Sequence, residues 1–300
     1  MFKIICDVDP GVDDAFALMM ACNNNLLDLK GVTIVGGNCK LSNAFKNTHY
    51  ILQLCNCDNI SVYKGEKKSL VYKNNNAENV HGKNGFGNLK YKLKNKKNSG
   101  DAINYLIKQV NENPGEIDIL AIGPLTNIAK AILKDNNFSE NIKRLIVMGG
   151  STDVGNITTD AEFNFYKDPH AVKIVLESGI KEIILLGLNV TTKLPLEESY
   201  EEYLKNSEKE NLNILYKISR MGSKFDREVN QLEGFILNDP LTVAYLLNEN
   251  VVQLENADVS IQTEGEKRGK AYYNFKHDGK HKVAVNVNKE LFYKLLFENL

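Results

Sequence analysis

Four aspartates stand within eight positions near the start of the chain, in Cys6-Asp7-Val8-Asp9-Pro10-Gly11-Val12-Asp13-Asp14. An apolar run ends in the first pair, and a Pro-Gly turn leads to the second pair at a predicted helix start. Carboxylates this close repel one another, and a hard divalent cation with oxygen ligands relieves the repulsion. The cluster therefore predicts a cation site at the carboxyl end of a strand, where open parallel sheets bind ligands. The competing interpretation is that these aspartates only cap the helix and accept hydrogen bonds.

The spacing differs from that of two well-known motifs. An EF-hand loop counted from Asp7 needs Gly and Glu where this chain has Val12 and Leu18. No G-x-x-x-x-G-K-[ST] sequence occurs, which excludes a P-loop. A metal-dependent phosphatase that begins with Asp-x-Asp stays open as an alternative, although no later paired-acid motif of that type follows.

Short runs rich in Val and Ile alternate with segments of helical period, which predicts a parallel sheet with crossover helices. The predicted strands cover residues 3–8, 31–35, 117–122, 145–148 and 182–186, and the predicted helices cover 13–22, 42–55, 102–111, 125–133 and 169–176. After Leu196 the pattern is mainly helical, and three strand-like runs (251–262, 270–275, 282–287) precede a closing helix. We predict one α/β domain over residues 1–300, with a mainly parallel open sheet, helices on both faces, a Rossmann-like core and a more helical C-terminal half.

Composition narrows the class of protein. The chain has 300 residues, 43% hydrophobic and 25% charged, which excludes disorder as the dominant state. Its 37 basic and 38 acidic residues give a net charge of -1, so we expect neither nucleic acid nor a membrane surface as a partner. The ten lysines of residues 64–97 stand among many Asn without Arg, which favours a solvated loop over a nucleic-acid site.

The N-terminal sequence and the cysteines indicate the compartment. The start of the chain lacks the long apolar region of a signal peptide, and no apolar run approaches the roughly 18 residues that cross a bilayer. The five cysteines are odd in number and have no zinc-type spacing, which favours reduced, mostly buried thiols. We therefore expect a cytoplasmic protein.

Five further motifs follow the acidic segment in order: Val35-Gly36-Gly37-Asn38, Gly123-Pro124-Leu125-Thr126-Asn127, Val147-Met148-Gly149-Gly150, Ala161-Glu162-Phe163-Asn164 and Asn238-Asp239-Pro240. Together with residues 7–15 they resemble the nucleoside hydrolases, calcium-dependent enzymes that cleave the N-glycosidic bond of ribonucleosides. The resemblance covers roughly residues 1 to 245. It implies a ribonucleoside as small-molecule substrate, a role in nucleoside salvage, and a homodimer or homotetramer.

The resemblance also implies residue roles. Ca²⁺ would be bound by four groups, namely Asp9, Asp14, Asp239 and the backbone carbonyl of Thr126. Asp9 would in addition act as general base on a bound water, with Asp7 as support. The side chain of Thr126 is a helix-cap candidate. The implied contacts with the ribose come from Asp13 at the 2-hydroxyl, from Asn38, Glu162 and Asn164 at other polar positions, and from Met148 as an apolar wall.

One departure from the family pattern concerns the leaving base. Asn238 is a further residue expected to contact the substrate, but many relatives have His at this position, and an amide cannot donate a proton at neutral pH. His81, in Val80-His81-Gly82, is the best replacement acid. If nothing replaces the missing acid, the chain is instead a ribosyl-binding protein with weakened catalysis. The absence of Trp argues against the stacking device of purine-preferring relatives.

Overall fold

The computed structural model describes residues 1–73, 77–94 and 97–300. Its strands are β1 Phe2–Val8, β2 Leu27–Ile34, β3 Val62–Lys64, β4 Ile117–Ala121, β5 Arg144–Met148, β6 Ile183–Leu186, β7 Pro195–Leu196, β8 Phe235–Ile236, β9 Val252–Ile261, β10 Ala271–Phe275 and β11 His281–Val287. Within these residues one sheet has nine strands in the order β10-β9-β11-β6-β5-β4-β1-β2-β3. All neighbours from β3 to β11 pair in parallel, and β9 and β10 extend the edge antiparallel.

The helices are α1 Val12–Asn23, α2 Leu41–Leu54, α3 Glu78–His81, α4 Ala102–Glu112, α5 Thr126–Lys134, α6 Phe138–Asn141, α7 Phe163–Lys167, α8 Pro169–Leu176, α9 Leu188–Thr191, α10 Glu198–Asn206, α11 Glu210–Glu228, α12 Pro240–Leu247 and α13 Lys289–Glu298, with a 3-10 turn at Glu249–Val251. They cover both faces of the sheet. Side chains of β1 alternate accordingly: Ile4 packs with α1, α2 and α12, whereas Ile5 packs with α4, α5 and α8. This is the predicted single-domain α/β fold with a mostly parallel sheet.

The predicted elements are present, with most ends shifted by one or two residues. The largest difference is β2, which begins at Leu27 instead of residue 31 because Leu27 and Leu29 are buried against the α1 side of the sheet. Sequence patterns missed β3, β7 and β8, which have two or three residues each and are too short to show a period.

The lysine-rich segment Lys64–Lys97 includes residues 74–76 and 95–96, which lie outside the described residues. Its described part corrects the expectation of a solvated loop. Phe86 is fully buried, and α3 packs against α11. The lysines are therefore interspersed with residues that belong to the core. Among the described residues, no helix combines the length and the apolar character required to span a bilayer.

Candidate active site

The acidic segment lies at the carboxyl end of β1, an interior strand between β4 and β2, and continues into the first turn of α1. Asp7 is the penultimate residue of this strand and is fully buried. Its Oδ1 accepts hydrogen bonds from the Thr33 hydroxyl at 2.6 Å and from the Asn127 side-chain amide at 2.8 Å. Asp7 thus joins three neighbouring elements beneath the site, which is consistent with a supporting position.

Asp9 is fully buried directly after β1. Its Oδ2 accepts the Asn38 backbone N–H at 2.6 Å, and its own N–H donates to Asp14 Oδ1 at 3.1 Å. Its Oδ1 has no hydrogen-bond partner among the described residues. A side chain at Gly37 or Gly123 would collide with this carboxylate, so both glycines are needed for the close approach of the strand ends.

A second group of carboxylates forms where α1 meets α12. Asp13, Asp14 and Asp239 each place an oxygen within 4.8 Å of the other two, and all three are buried. Asp14 accepts the Gly11 N–H at 2.8 Å through Oδ2, which closes the first turn of α1. Asp13 Oδ1 is buried without a hydrogen-bond partner in the described part of the chain. Buried carboxylate oxygens of this kind fit a hard divalent cation. Calcium, for example, takes six to eight oxygen ligands.

The sequence expectation combined Asp9, rather than Asp13, with Asp14 and Asp239. In the structure the mutually closest set contains Asp13, and Asp9 is linked to this set through its bond to Asp14. The reason is geometric. Asp13 and Asp14 are adjacent at the start of α1 and both face the N-terminus of α12, whereas Asp9 lies one turn earlier beside Asn38.

Burial perturbs the protonation of these acids. Desolvation raises the pKa of Asp7 to about 7, and desolvation together with the Asp13 charge raises the pKa of Asp14 to about 7. The same two causes raise the pKa of Asp239 well above its ordinary value, and burial beside Asp14 does so for Asp9. Close burial therefore disfavours simultaneous ionisation of these acids, and without a cation some of them retain protons near pH 7. A bound cation would offset the repulsion between their ionised forms.

Thr126 is the first residue of α5, on the strand end next to Asp9. The prediction that its side chain caps this helix is wrong, because the N-cap position is Leu125. The Thr126 hydroxyl instead donates to Asp168 Oδ2 at 2.7 Å. Asp168 also caps α8 by accepting the Ala171 N–H at 3.1 Å. The side chain of Thr126 is thereby turned away from the acidic cluster, and only its backbone could contribute there.

The residues expected around the sugar lie at neighbouring strand ends, all of them buried. Asn38 donates its amide to Asp14 Oδ2 at 3.3 Å. Asn164 donates to the carbonyls of Ile122 at 3.1 Å and Met148 at 3.2 Å, and its amide lies 3.6 Å from Met148 Sδ. These bonds fix the Asn38 amide against the start of α1 and the Asn164 amide against the carboxyl ends of β4 and β5.

Glu162 is the N-cap of α7, and backbone N–H groups already occupy much of the carboxylate that was expected to contact the sugar. Its carboxylate accepts N–H groups from Asn164 at 2.8 Å and from Phe165 and Gly150 at 3.1 Å. Burial raises its pKa to about 7 despite these bonds. Glu162 therefore shapes the loop between β5 and α7 and can offer a substrate hydroxyl only its remaining lone pairs.

His81 ends α3 and reaches the start of α1, where its Nδ1 accepts the Val12 N–H at 3.1 Å. This bond leaves the proton of the neutral ring on Nε2. Burial lowers the pKa of His81, although the Asp13 charge opposes the shift. Phe235 packs edge-on against the imidazole with the ring centroids 6.1 Å apart. The structure thus brings His81 to the acidic cluster from a loop more than 60 positions away in sequence.

Asn238 donates to Asp13 Oδ2 at 3.2 Å. Its carbonyl oxygen accepts the Thr191 hydroxyl at 2.7 Å. Both ends of the amide are therefore occupied by protein groups.

Sequence reasoning missed four residues with clear roles: Asn127, Thr191, Lys167 and Asp168. The Asp-Pro pair before α8 is an N-cap signal that could have identified Asp168. Asn127 stands in a recognised motif, but its partner Asp7 is 120 positions away. Lys167 is 4% exposed and lies near enough to Asp9 that each influences the pKa of the other. No sequence pattern predicted a buried lysine there.

Comparisons with known proteins agree with this geometry. The model of the inosine-uridine preferring nucleoside hydrolase family matches residues 4–294. A probable uridine nucleosidase 2 of Oryza sativa subsp. japonica is 33% identical over 267 residues, which is 88% of this chain and 79% of the rice protein.

Two solved structures have the same fold over nearly their whole length. A plant nucleoside hydrolase superposes with a TM-score of 0.94 at 32% identity and covers 99% of this chain and 98% of its own. A purine-preferring ribonucleoside hydrolase from Gardnerella vaginalis gives 0.93 at 26% identity, covering 99% and 97%. This chain therefore belongs to the family of inosine-uridine preferring nucleoside hydrolases.

Proposed function

We propose that this protein hydrolyses the N-glycosidic bond of ribonucleosides to a free base and ribose, in nucleoside salvage. One observation carries the proposal: three buried carboxylates lie within 4.8 Å of one another past the carboxyl end of β1, and Asp9 on the same segment has a buried oxygen with no hydrogen-bond partner among the described residues. The relatives named as a uridine nucleosidase and a purine-preferring ribonucleoside hydrolase support the substrate class.

Calcium is the cation we propose for the acidic cluster. Asp14 and Asp239, together with Asp9 or Asp13, would hold it through carboxylate oxygens, and the Thr126 carbonyl is a further candidate. The all-oxygen donor set supports a hard cation over zinc or copper, which prefer nitrogen and sulfur ligands. When bound, such a cation supplies a Lewis acid that fixes sugar hydroxyls and water next to one another.

Asp9 is the proposed general base. Its Oδ2 is occupied by the Asn38 N–H, whereas its Oδ1 is buried without a partner and can accept a proton from water. Burial and the neighbouring Asp14 charge raise the pKa of Asp9, which makes it a stronger base than an exposed aspartate. The Asn38 N–H holds the carboxylate in this orientation, and Gly37, which has no side chain, leaves room for it.

His81 is the proposed partner of the leaving base. Its Nδ1 is engaged by the Val12 N–H, so the Nε2–H is the group that can donate to the departing nucleobase. The lowered pKa keeps the ring neutral near pH 7, and the buried setting strengthens a hydrogen bond from the neutral ring. Asn238 is unsuited to this hydrogen bond because both ends of its amide are already bound to protein groups.

The alternatives are less well supported. Membership of a nucleoside hydrolase family argues against a phosphatase, because the match to that family extends over residues 4–294. A binding protein without catalysis would require that no group assists the leaving base, and the position of His81 beside Val12 argues against it.

A panel of nucleosides tests the proposal. The protein is incubated with uridine, cytidine, inosine, guanosine and a nitrophenyl riboside, each with calcium and with excess chelator, and free ribose is measured. We expect ribose from at least one natural nucleoside with calcium only. Release from the nitrophenyl riboside alone would favour the binding protein, because that substrate needs no leaving-group acid. Inorganic phosphate from sugar phosphates, without any ribose release, would favour the phosphatase.

Location and assembly are further parts of the proposal. The five cysteines all lie among the described residues and none is joined in a disulfide; Cys6 and Cys39 are buried and the others partly buried. A reducing compartment preserves this state, which supports the cytoplasm. The homodimer or homotetramer implied by the resemblance is checked by light scattering on the purified protein.

A further inference from the structure

A chain of hydrogen bonds crosses the site from Thr191 through Asn238 to Asp13. The Thr191 hydroxyl donates to Asn238 Oδ1 at 2.7 Å, and Asn238 Nδ2 donates to Asp13 Oδ2 at 3.2 Å. Thr191 is fully buried at the end of α9, and Asp13 is 5% exposed. The chain thus connects a residue outside the acidic cluster with one of its carboxylates.

The direction of this chain follows from the donor and acceptor inventory. Asp13 Oδ2 is the acceptor of its bond to Asn238, so the Asn238 NH₂ group faces it. The Asn238 carbonyl oxygen then faces Thr191, whose hydroxyl can donate. With the opposite amide orientation two oxygens would face each other at Asp13. Asp13 Oδ2 and the Ile236 carbonyl, which lies 3.4 Å from Asn238 Nδ2, therefore set the orientation of the amide, and the Thr191 hydroxyl holds its oxygen end in place.

The two oxygens of Asp13 are consequently different. Oδ2 is held by Asn238, whereas Oδ1 is buried and has no hydrogen-bond partner among the described residues. Of the three clustered carboxylates Asp13 is also the most accessible, at 5% against 0% for Asp14 and 2% for Asp239. A buried carboxylate oxygen without a hydrogen-bond partner among the described residues, on a side chain whose other oxygen is held, is suited to accept a hydrogen bond from a substrate hydroxyl.

We propose that Thr191 is a positioning residue that acts through the Asn238 amide and orients the Asp13 carboxylate toward a hydroxyl of the substrate sugar. The inference rests on the proposed ribonucleoside hydrolysis. In this account the Asn238 amide contributes to substrate binding by holding Asp13, and it does not protonate the leaving base. The neighbouring Thr192 provides a matched comparison, because its hydroxyl donates to the Leu188 carbonyl at 2.7 Å, back onto α9 and not to Asn238.

The test compares Thr191→Val, Thr191→Ser and Thr192→Val with the calcium-loaded wild type. With uridine or another accepted nucleoside, we expect Thr191→Val to raise KM about tenfold, as expected for one weakened hydrogen bond to a charged group, with kcat within about threefold. Thr191→Ser keeps the hydroxyl and should restore KM. Thr192→Val should leave both parameters within about twofold of the wild type.

Two further measurements separate positioning from general damage. Asn238→Ala should raise KM to a similar degree, and combining it with Thr191→Val should add less than about twofold, because both changes break one chain. The Ki of the corresponding 2′-deoxynucleoside as a competitive inhibitor should change less than about threefold in Thr191→Val, since the relevant hydroxyl is missing.

The outcomes are distinguishable. An active wild type with an unchanged KM in Thr191→Val, or with equal losses in Thr191→Val and Thr192→Val, would overturn the inference alone. Fully additive effects of Thr191→Val and Asn238→Ala would overturn it as well. No turnover of any nucleoside by the wild type would refute the proposed function and this inference together.

Discussion

The buried acids predict an unusual pH dependence of stability in the cation-free protein. Burial, assisted by the Asp13 charge, raises the pKa of Asp14 from 3.8 to about 7. The folded state therefore retains a proton up to about pH 7 that the unfolded chain releases near pH 4. Because the native state binds more protons within this window, its stability falls as pH rises through it. The 1.5 pH units between pH 5.5 and pH 7 correspond to about 2 kcal/mol for this one carboxyl.

The assay is thermal unfolding after chelator treatment, at pH 5.5 and pH 8. A loss of about 2 kcal/mol lowers the midpoint of a 300-residue chain by about 3 °C. Asp7 and Glu162, whose pKa values are also raised to about 7, act in the same direction.

Calcium at 100 times its Kd should restore about 2.7 kcal/mol at pH 8. Asp14→Asn should reduce the pH effect and abolish the calcium effect, whereas the exposed Asp58→Asn should alter neither. A cation-free midpoint that is equal or higher at pH 8 would refute the reasoning.

Three further predictions concern single residues. Asn127→Leu removes the amide that donates to Asp7 and accepts the Glu66 N–H, and should cost about 2 to 3 kcal/mol in urea unfolding; a loss below 0.5 kcal/mol would contradict it. Gly37→Ala places a methyl group against the Asp9 carboxylate and should reduce kcat more than about 100-fold, whereas Gly179→Ala, with open space around it, should not. His81→Ala should slow natural nucleosides about 100-fold and spare a nitrophenyl riboside, and equal losses with both substrates would exclude leaving-group assistance.

The sequence was sufficient for elements and motifs whose signals are local. The alternation of apolar runs and helical periods predicted β1, α1 and α8, and the acidic segment predicted where charge would gather. What the sequence could not predict depends on contacts across long separations. The bonds of Asn127 to Asp7 and of Thr191 to Asn238 join residues on different strand ends. The grouping of Asp13, rather than Asp9, with Asp239 depends on how α1 and α12 pack, which no periodicity reveals.

Calcium-dependent uridine hydrolysis is the most direct test of the central claim, with inosine as the substitute if the panel shows that base preference. Chelator-treated protein at a concentration far above the calcium Kd is titrated with calcium, and release of the base is followed by absorbance. The account predicts negligible release without calcium and a rise that saturates near one calcium per chain. Full activity in excess chelator, or an equal response in Asp239→Asn, would contradict the assignment of the acidic cluster.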